Sequence, residues 1–364
     1  MNAAEIREHV RAGGLLPERG FRDGAGVTDG DGVVAMLSGG RDSVCLLDIC
    51  AALCGAERVH ALHVNYGLRA ESDEDERHCR ALCERLGVEI EVVRACREQG
   101  TTGNLHAWAR ELRYGAAREL AKALEQGVDG VSKRPVPRAR GGQPFLIATG
   151  HTATDQVETI LYRLAASPGR RALLGMPASE GRLVRPLLGL PRTATGEYCR
   201  ELNLAWREDA SNDSEAYARS RVRHGLLTAL DAVHPAARAN VLRTAMLLGE
   251  ETDLLDSLVD AELNGRSSIA LERLAELPIA LQRLVTIRLA EDAAGAFVPQ
   301  AGERVAEILA LGERGGRAEL HVGGLVSAVV ERRELRMVAI QPRKQHEPRE
   351  DEHEREHERE HEQE

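Results

Sequence analysis

The most constraining stretch of the chain is GDGVVAMLSGGRDSVCLLDICAAL, residues 30–53. A short apolar run, Val33–Leu37, empties into Ser38-Gly39-Gly40-Arg41-Asp42-Ser43, and an apolar helical pattern begins at once at Val44. The run reads as a strand buried on both faces, and the residues from Val44 to Leu53 read as a helix. A strand that feeds a helix through so short a turn belongs to a parallel α/β sheet. The turn then lies at the carboxyl end of the strand, where such sheets place their ligands. Glycine lets backbone approach an anion without a Cβ clash, and the helix adds unpaired N–H groups and its dipole. Ser38 and Ser43 add hydroxyl donors. The turn is not a Walker A loop, because the Gly-Lys-Ser/Thr ending is missing. GDGVVA, residues 30–35, matches G-x-G-x-x-A only on paper, since it enters the strand instead of leaving it.

Strand and helix patterns continue to alternate over the first 170 residues. Candidate strands are Val33–Leu37, Val59–Val64, Val88–Val93 and Phe145–Thr149. Candidate helices are Val44–Leu53, Glu71–Leu86, Leu105–Leu124 and Thr154–Ala166. This order predicts an α/β fold with a doubly wound parallel sheet, followed by a helical domain with a small β unit. Residues 125–144, rich in Gly and Pro with four basic residues, read as an inserted loop. Apolar residues at three- and four-residue spacing across 236–263 and 271–293 predict packed amphipathic helices, and 317–340 switches to period two. The expected domains are a lead-in over 1–25, a catalytic domain over 26–215, a helical domain with a terminal β unit over 216–342, and a disordered acidic and His-rich tail over 343–364.

At 364 residues the chain has room for two domains, and 43% hydrophobic content supports a real core. With only 3% aromatics, Ala, Leu and Val must fill it. No apolar run approaches the roughly 18 residues of a membrane span, and the first residues lack the apolar stretch of a secretory signal. Seven cysteines, at 45, 50, 54, 79, 83, 96 and 199, form no CxxC pair. They read as buried thiols in a reducing compartment, so a cytoplasmic location is expected. The net charge of −10 does not exclude RNA, because residues 345–364 hold ten acidic and three basic residues and the rest of the chain is near −3. Local basic patches decide that question.

SGGRDS resembles the pyrophosphate-binding loop of the PP-loop ATP pyrophosphatases (adenine nucleotide alpha hydrolase-like fold). Five further motifs follow in order: HVNYGLR at 63–69, NLHAWARELRY at 104–114, ATGHTATDQVETILYRLAASPGRRALLGM at 148–176, RLVRPLLGLPR at 182–192, and LAWREDASNDSEAYARSRVRHGLL at 204–227. Together they resemble the tRNA(Ile)-lysidine synthetase family, from about Val33 to Leu230. The resemblance implies a ligase that adenylates O2 of the wobble cytidine of tRNA(Ile) with ATP and releases pyrophosphate. The amine of L-lysine then attacks C2 and expels AMP. It implies ATP and Mg²⁺ as cofactors and tRNA(Ile) with a CAU anticodon as partner, and is compatible with a homodimer.

Carried residue by residue, the resemblance puts Ser38, Gly39, Gly40, Arg41, Asp42 and Ser43 on pyrophosphate and His63, Asn65 and Gly67 at the base or ribose. Asp42 is the Mg²⁺ partner, and Asp42, Arg113 and Asp155 carry catalysis. His151, Asp155 and Glu158 are expected to hold lysine. Arg170, Arg171, Arg185, Arg219, Arg221 and Arg223 are expected to meet RNA phosphates, for which guanidinium forks are suited. Two positions depart from the family pattern. Thr154 stands where a second acid is expected beside Asp155, and Tyr66 stands where a second histidine is expected, although a phenol does not titrate near neutrality. Rival readings are another PP-loop enzyme, either amide-forming or tRNA-thiolating, and a tRNA-binding relative that has lost catalysis. The absent CxxC counts against thiolation.

Overall fold

The computed structural model describes residues 1–17, 32–68, 70–95, 105–126, 144–166, 169–208 and 218–340. Most of the 125–144 insertion, Cys96, Asp209–Ser214 and the 341–364 tail lie outside the described residues.

The chain divides into two compact units, Met1–Leu248 and Gly249–Glu364. In the first, helix α1 (Ala3–Ala12) opens on a capping box in which Asn2 and Glu5 satisfy each other's backbone N–H groups. Then follow β1 (Val33–Met36), α2 (Arg41–Cys54), β2 (Val59–Asn65), α3 (Ser72–Leu86), β3 (Glu89–Arg94), α4 (Leu105–Glu125), β4 (Leu146–Ala148), α5 (Ala153–Ala166), α6 (Arg170–Leu173), β5 (Ser179–Glu180), β6 (Leu183–Val184) and α7 (Arg192–Glu201). The strands order as β3-β2-β1-β4-β6-β5, all pairs parallel except β5 with β6. Val33 lies between Val59 and Leu146, and Ala35 between Ala61 and Ala148.

Alternate side chains of each strand serve different layers. Val33, Ala35, Val59 and Ala61 pack with α1, α2, α3 and α7, whereas Val34, Met36, Leu62, Val64 and Ile147 pack with Ala117, Leu120 and Leu124 of α4. Such two-sided burial explains why the strands read as unbroken apolar runs. The chain steps outward from β1 to β3, then crosses by α4 to β4 on the other side of β1. The direction of winding therefore reverses between β1 and β4, the position at which a crevice opens in sheets of this kind.

Past α7 the chain continues through α8 (Ala218–Arg221), a π-helical turn over Val222–Leu226, α9 (Leu227–Val233) and α10 (Ala237–Leu263). Val222 and Leu227 bury against Val157 and Leu161 of α5. The division between the two compact units falls within α10, at Leu248/Gly249.

In the second unit β7 (Ser268–Ala270), α11 (Leu271–Glu276), α12 (Ile279–Ala294), α13 (Val305–Leu311), β8 (Arg317–Gly323), β9 (Val326–Glu331) and β10 (Glu334–Ala339) enclose an aliphatic core. Its sheet orders as β7-β10-β9-β8 and is antiparallel. The period-two segment is β8 to β10; β7 was not foreseen, being three residues long. Among the described residues no helix is long and apolar enough to cross a membrane.

Candidate active site

A cavity of about 420 Å³ opens at the β1/β4 crevice, walled by the carboxyl ends of β1, β2 and β4, the first turn of α2, and α4. At its floor the 38–43 turn folds around two hydroxyls. Ser38 N–H donates to Ser43 Oγ at 3.1 Å, and the two hydroxyl oxygens are 3.1 Å apart. Ser43 O–H donates to the Gly40 carbonyl at 2.8 Å. Gly39 has φ +84°, which only glycine adopts without strain. Helix α2 starts from Gly40, and no side chain caps its first turn. Gly40 N–H donates to Ser38 Oγ at 3.4 Å, and among the described residues no cap side chain accepts from the helix N–H groups that follow, where the turn lines the cavity. Gly150, after β4, passes against this turn so closely that a Cβ would lie 3.0 Å from the Asp42 carbonyl.

Charged groups of both signs converge on the same space. Asp42 accepts a hydrogen bond from Thr195 Oγ1, and its Oδ2 lies 3.3 Å from Arg192 Nε. Burial pushes the Asp42 carboxyl above its ordinary range; Thr195 and Arg192 pull it back, while the charge of Asp155 pushes it up further. Asp155 Oδ2 accepts Thr152 N–H at 2.9 Å and Thr152 O–H at 2.8 Å at the start of α5, and Oδ1 is 3.9 Å from Arg223. His151 lies beside it, Nδ1 being 2.8 Å from Thr149 Oγ1. Opposite, Arg113 of α4 donates from Nε to Tyr66 Oη at 3.1 Å.

Several expected residues stand elsewhere. Glu158, expected with Asp155 to hold a cationic amino acid, is fully buried and already grips a cation. Arg223 reaches it from the π-helical turn with Nε–Oε1 at 2.7 Å and a terminal nitrogen at 3.1 Å from Oε2. Arg223, expected on an RNA-facing surface, therefore lies on the cavity wall. Arg185, expected on the same surface, is 3% exposed and binds the Pro177 carbonyl and Glu180 instead. It directly follows β6, and its side chain ties the neighbouring turn to the sheet.

His63 and Asn65 do not line the cavity. His63 is buried with Nδ1 2.9 Å from the Leu37 carbonyl, and burial lowers its pKa. Asn65 is buried and donates to Asp73 and Glu76, and its Oδ1 accepts Gly67 N–H at 2.9 Å. His63 ties the end of β2 to the end of β1, and Asn65 ties it to α3. Arg170 and Arg171 sit on the short α6, half-buried, and Arg221 is exposed. The Arg219 side chain and Asp209–Ser214 lie outside the described residues.

Three roles were not read from the sequence, although Thr154 stood out there as a departure. Arg207 donates its backbone N–H to the Gly39 carbonyl at 3.0 Å while its side chain pairs with Asp75 and Glu74, clamping the turn to α3. Thr195 supplies the hydroxyl on Asp42. Thr154, at the departure from the acid pair, accepts Arg192 N–H at 3.2 Å and so caps α7. Only the WRED context around Arg207 could have signalled any of the three.

A model of the PP-loop domain, ATP_bind_3, matches residues 22–129 and 139–230, more than half of the chain. The chain belongs to the PP-loop family. The cavity lies within the matched segments of this PP-loop domain. Curated relatives include the tRNA(Ile)-lysidine synthase of Pseudomonas syringae pv. tomato, 37% identical over 61% of this chain and 46% of that one. The tRNA(Ile)-lysidine synthase of Neisseria gonorrhoeae is 34% identical over 64% of this chain and 48% of that one. The enzyme of the same name from Chromobacterium violaceum is 34% identical over 62% and 49%. The chain spans about half the length of the curated relatives it matches.

Proposed function

We propose that the chain ligates L-lysine to C2 of the wobble cytidine, position 34, of a tRNA(Ile) with a CAU anticodon, in the cytoplasm. ATP is cut between its α and β phosphates; the adenylyl group goes to O2 of the cytosine and pyrophosphate leaves. The lysine amine then forms the C2–N bond, AMP departs with the oxygen, and the amine proton passes to an acceptor in the site. The observation that carries the reading is the convergence of three elements in one cavity at the β1/β4 reversal: an uncapped glycine turn, a guanidinium from α4, and acids from the first turns of α2 and α5. The likeness to lysidine synthases over 61–64% of the chain supports it.

In this reading the N–H groups of Gly39 to Ser43 hold the departing pyrophosphate, and Arg113 stabilises charge that develops as the α phosphorus is attacked. Asp155, which lines the cavity, attracts the lysine cation, while Glu158 keeps Arg223 in place. Among the described residues no group of three or more His, Cys, Asp or Glu could hold a metal. Asp42 and Asp155 do face one cavity and repel each other, and Mg²⁺ is commonly held by one or two carboxylates plus substrate phosphates. These residues fit a Mg²⁺ that arrives with the nucleotide, which would neutralise phosphate charge there.

The test is incubation of the chain with ATP, labelled lysine and tRNA transcripts. Label should enter only the CAU-anticodon tRNA(Ile), with one AMP released per lysine. AMP release without lysine in RNA, or no AMP at all, contradicts the proposal.

A further inference from the structure

Tyr66, the residue that breaks the expected histidine pattern, is hydrogen-bonded on both sides. Its hydroxyl donates to the Ala109 carbonyl at 3.0 Å and accepts Arg113 Nε–H at 3.1 Å. Its ring lies beside Trp108, with centroids 5.8 Å apart. Both Tyr66 and Arg113 line the cavity. Among the described residues no carboxylate pairs with Arg113, so Tyr66 is the side chain that orients it. With Nε–H taken, the two terminal amino groups remain, and that edge of a guanidinium can still grip two oxygens at once.

We infer that Tyr66 is a positioning residue that aims Arg113 at the anion formed in the cavity, an assignment that rests on the functional reading above. The phenol oxygen accepts from Nε–H while its own O–H is committed to the Ala109 carbonyl. An imidazole in its place could accept from Nε–H only while neutral, and an ordinary histidine is half protonated near pH 6.5. The substitution therefore keeps Arg113 oriented in mildly acidic conditions.

The test is a double-mutant cycle read in the tRNA-dependent formation of AMP. Tyr66→Phe should lower kcat about 10- to 100-fold, the range expected for a lost hydrogen bond to a charged group, with the KM for ATP changed less than about threefold. Added to Arg113→Ala, it should cost nothing more, because it acts only through that residue. Tyr66→His should recover most of kcat at alkaline pH and introduce an acid limb that the native enzyme lacks. Additive losses, or a Tyr66→Phe enzyme with native kcat, overturn the inference. Should the native chain release no AMP, the functional reading fails. The Arg113 Nε–H resonance, followed by NMR in native and Tyr66→Phe protein, still decides the pairing: a shift supports it and an unchanged signal contradicts it.

Discussion

Two acids lie past the ends of neighbouring strands, and their surroundings push them in opposite directions. Glu76 of α3 is 3% exposed, yet accepts bonds from Asn65, Arg80 and, twice, Arg94. The Arg94 pair, more than any other partner, pulls its carboxyl down to about 2. Asp42 of α2 faces the cavity, and burial pushes its carboxyl up despite Thr195 and Arg192. The first acid is saturated by its own fold. The second is desolvated with its charge only partly answered, an arrangement expected of a group that works on something from outside.

The sharpest way to break this contrast is Asp42→Asn. Turnover should fall at least about 100-fold, the scale of lost electrostatic groups in active sites, while the melting temperature at neutral pH holds or rises. A folded-state carboxyl raised above its unfolded value gives stability that is full below the unfolded value and lost as pH rises through the folded one. The amide removes that loss, so any advantage of the variant should close on acidification. A variant both inactive and much less stable would remove the distinction.

Glu76→Gln should do the reverse: about 2–4 kcal/mol of stability lost near neutral pH, with activity per folded molecule within about threefold of native. The carboxyl is depressed, so its contribution is full above the ordinary 4.5 and fades as pH falls toward about 2. Urea titrations at the two ends of that window should show the native and variant curves converging in acid; a constant gap refutes the assignment.

Gly150→Ala tests the turn shared by the two layers of the site. A Cβ 3.0 Å from the Asp42 carbonyl should cost about 1–3 kcal/mol and weaken nucleotide binding by displacing α2's first turn. Calorimetric titration with ATP checks this, and native affinity would show that the turn tolerates the shift. The smallest effect belongs to the second unit, where ion pairs stand on the surface. Arg273 pairs with Glu262 while its own side chain is half exposed. Arg273→Ala should leave the thermal midpoint and the turnover indistinguishable from native, as expected of a solvent-screened surface pair.

What was legible in the sequence was contiguous. The 38–43 turn and four of the six strands of the first sheet lie in unbroken stretches, where periodicity and turn chemistry act over a few residues. Strands β5 and β6, two residues each, are too short to leave a period. Pairings made by folding left no mark: Arg223 meets Glu158 across 65 positions and Arg113 meets Tyr66 across 47. A row of arginines reads alike whether it faces RNA or, as with Arg185, closes an internal turn. Tyr66 and Thr154 were visible only as departures; their partners on α4 and α7 give each departure a physical reason.

The central claim is that the 38–43 turn and Asp42 receive the phosphates of ATP. A crystal structure of the full chain with Mg²⁺ and a non-hydrolysable ATP analogue tests it most directly. The β and γ phosphates should lie within hydrogen-bond reach of the Gly39 to Ser43 N–H groups, with the α phosphate open toward Arg113. A triphosphate bound outside the β1/β4 cavity, with the turn making no contact, would contradict the account.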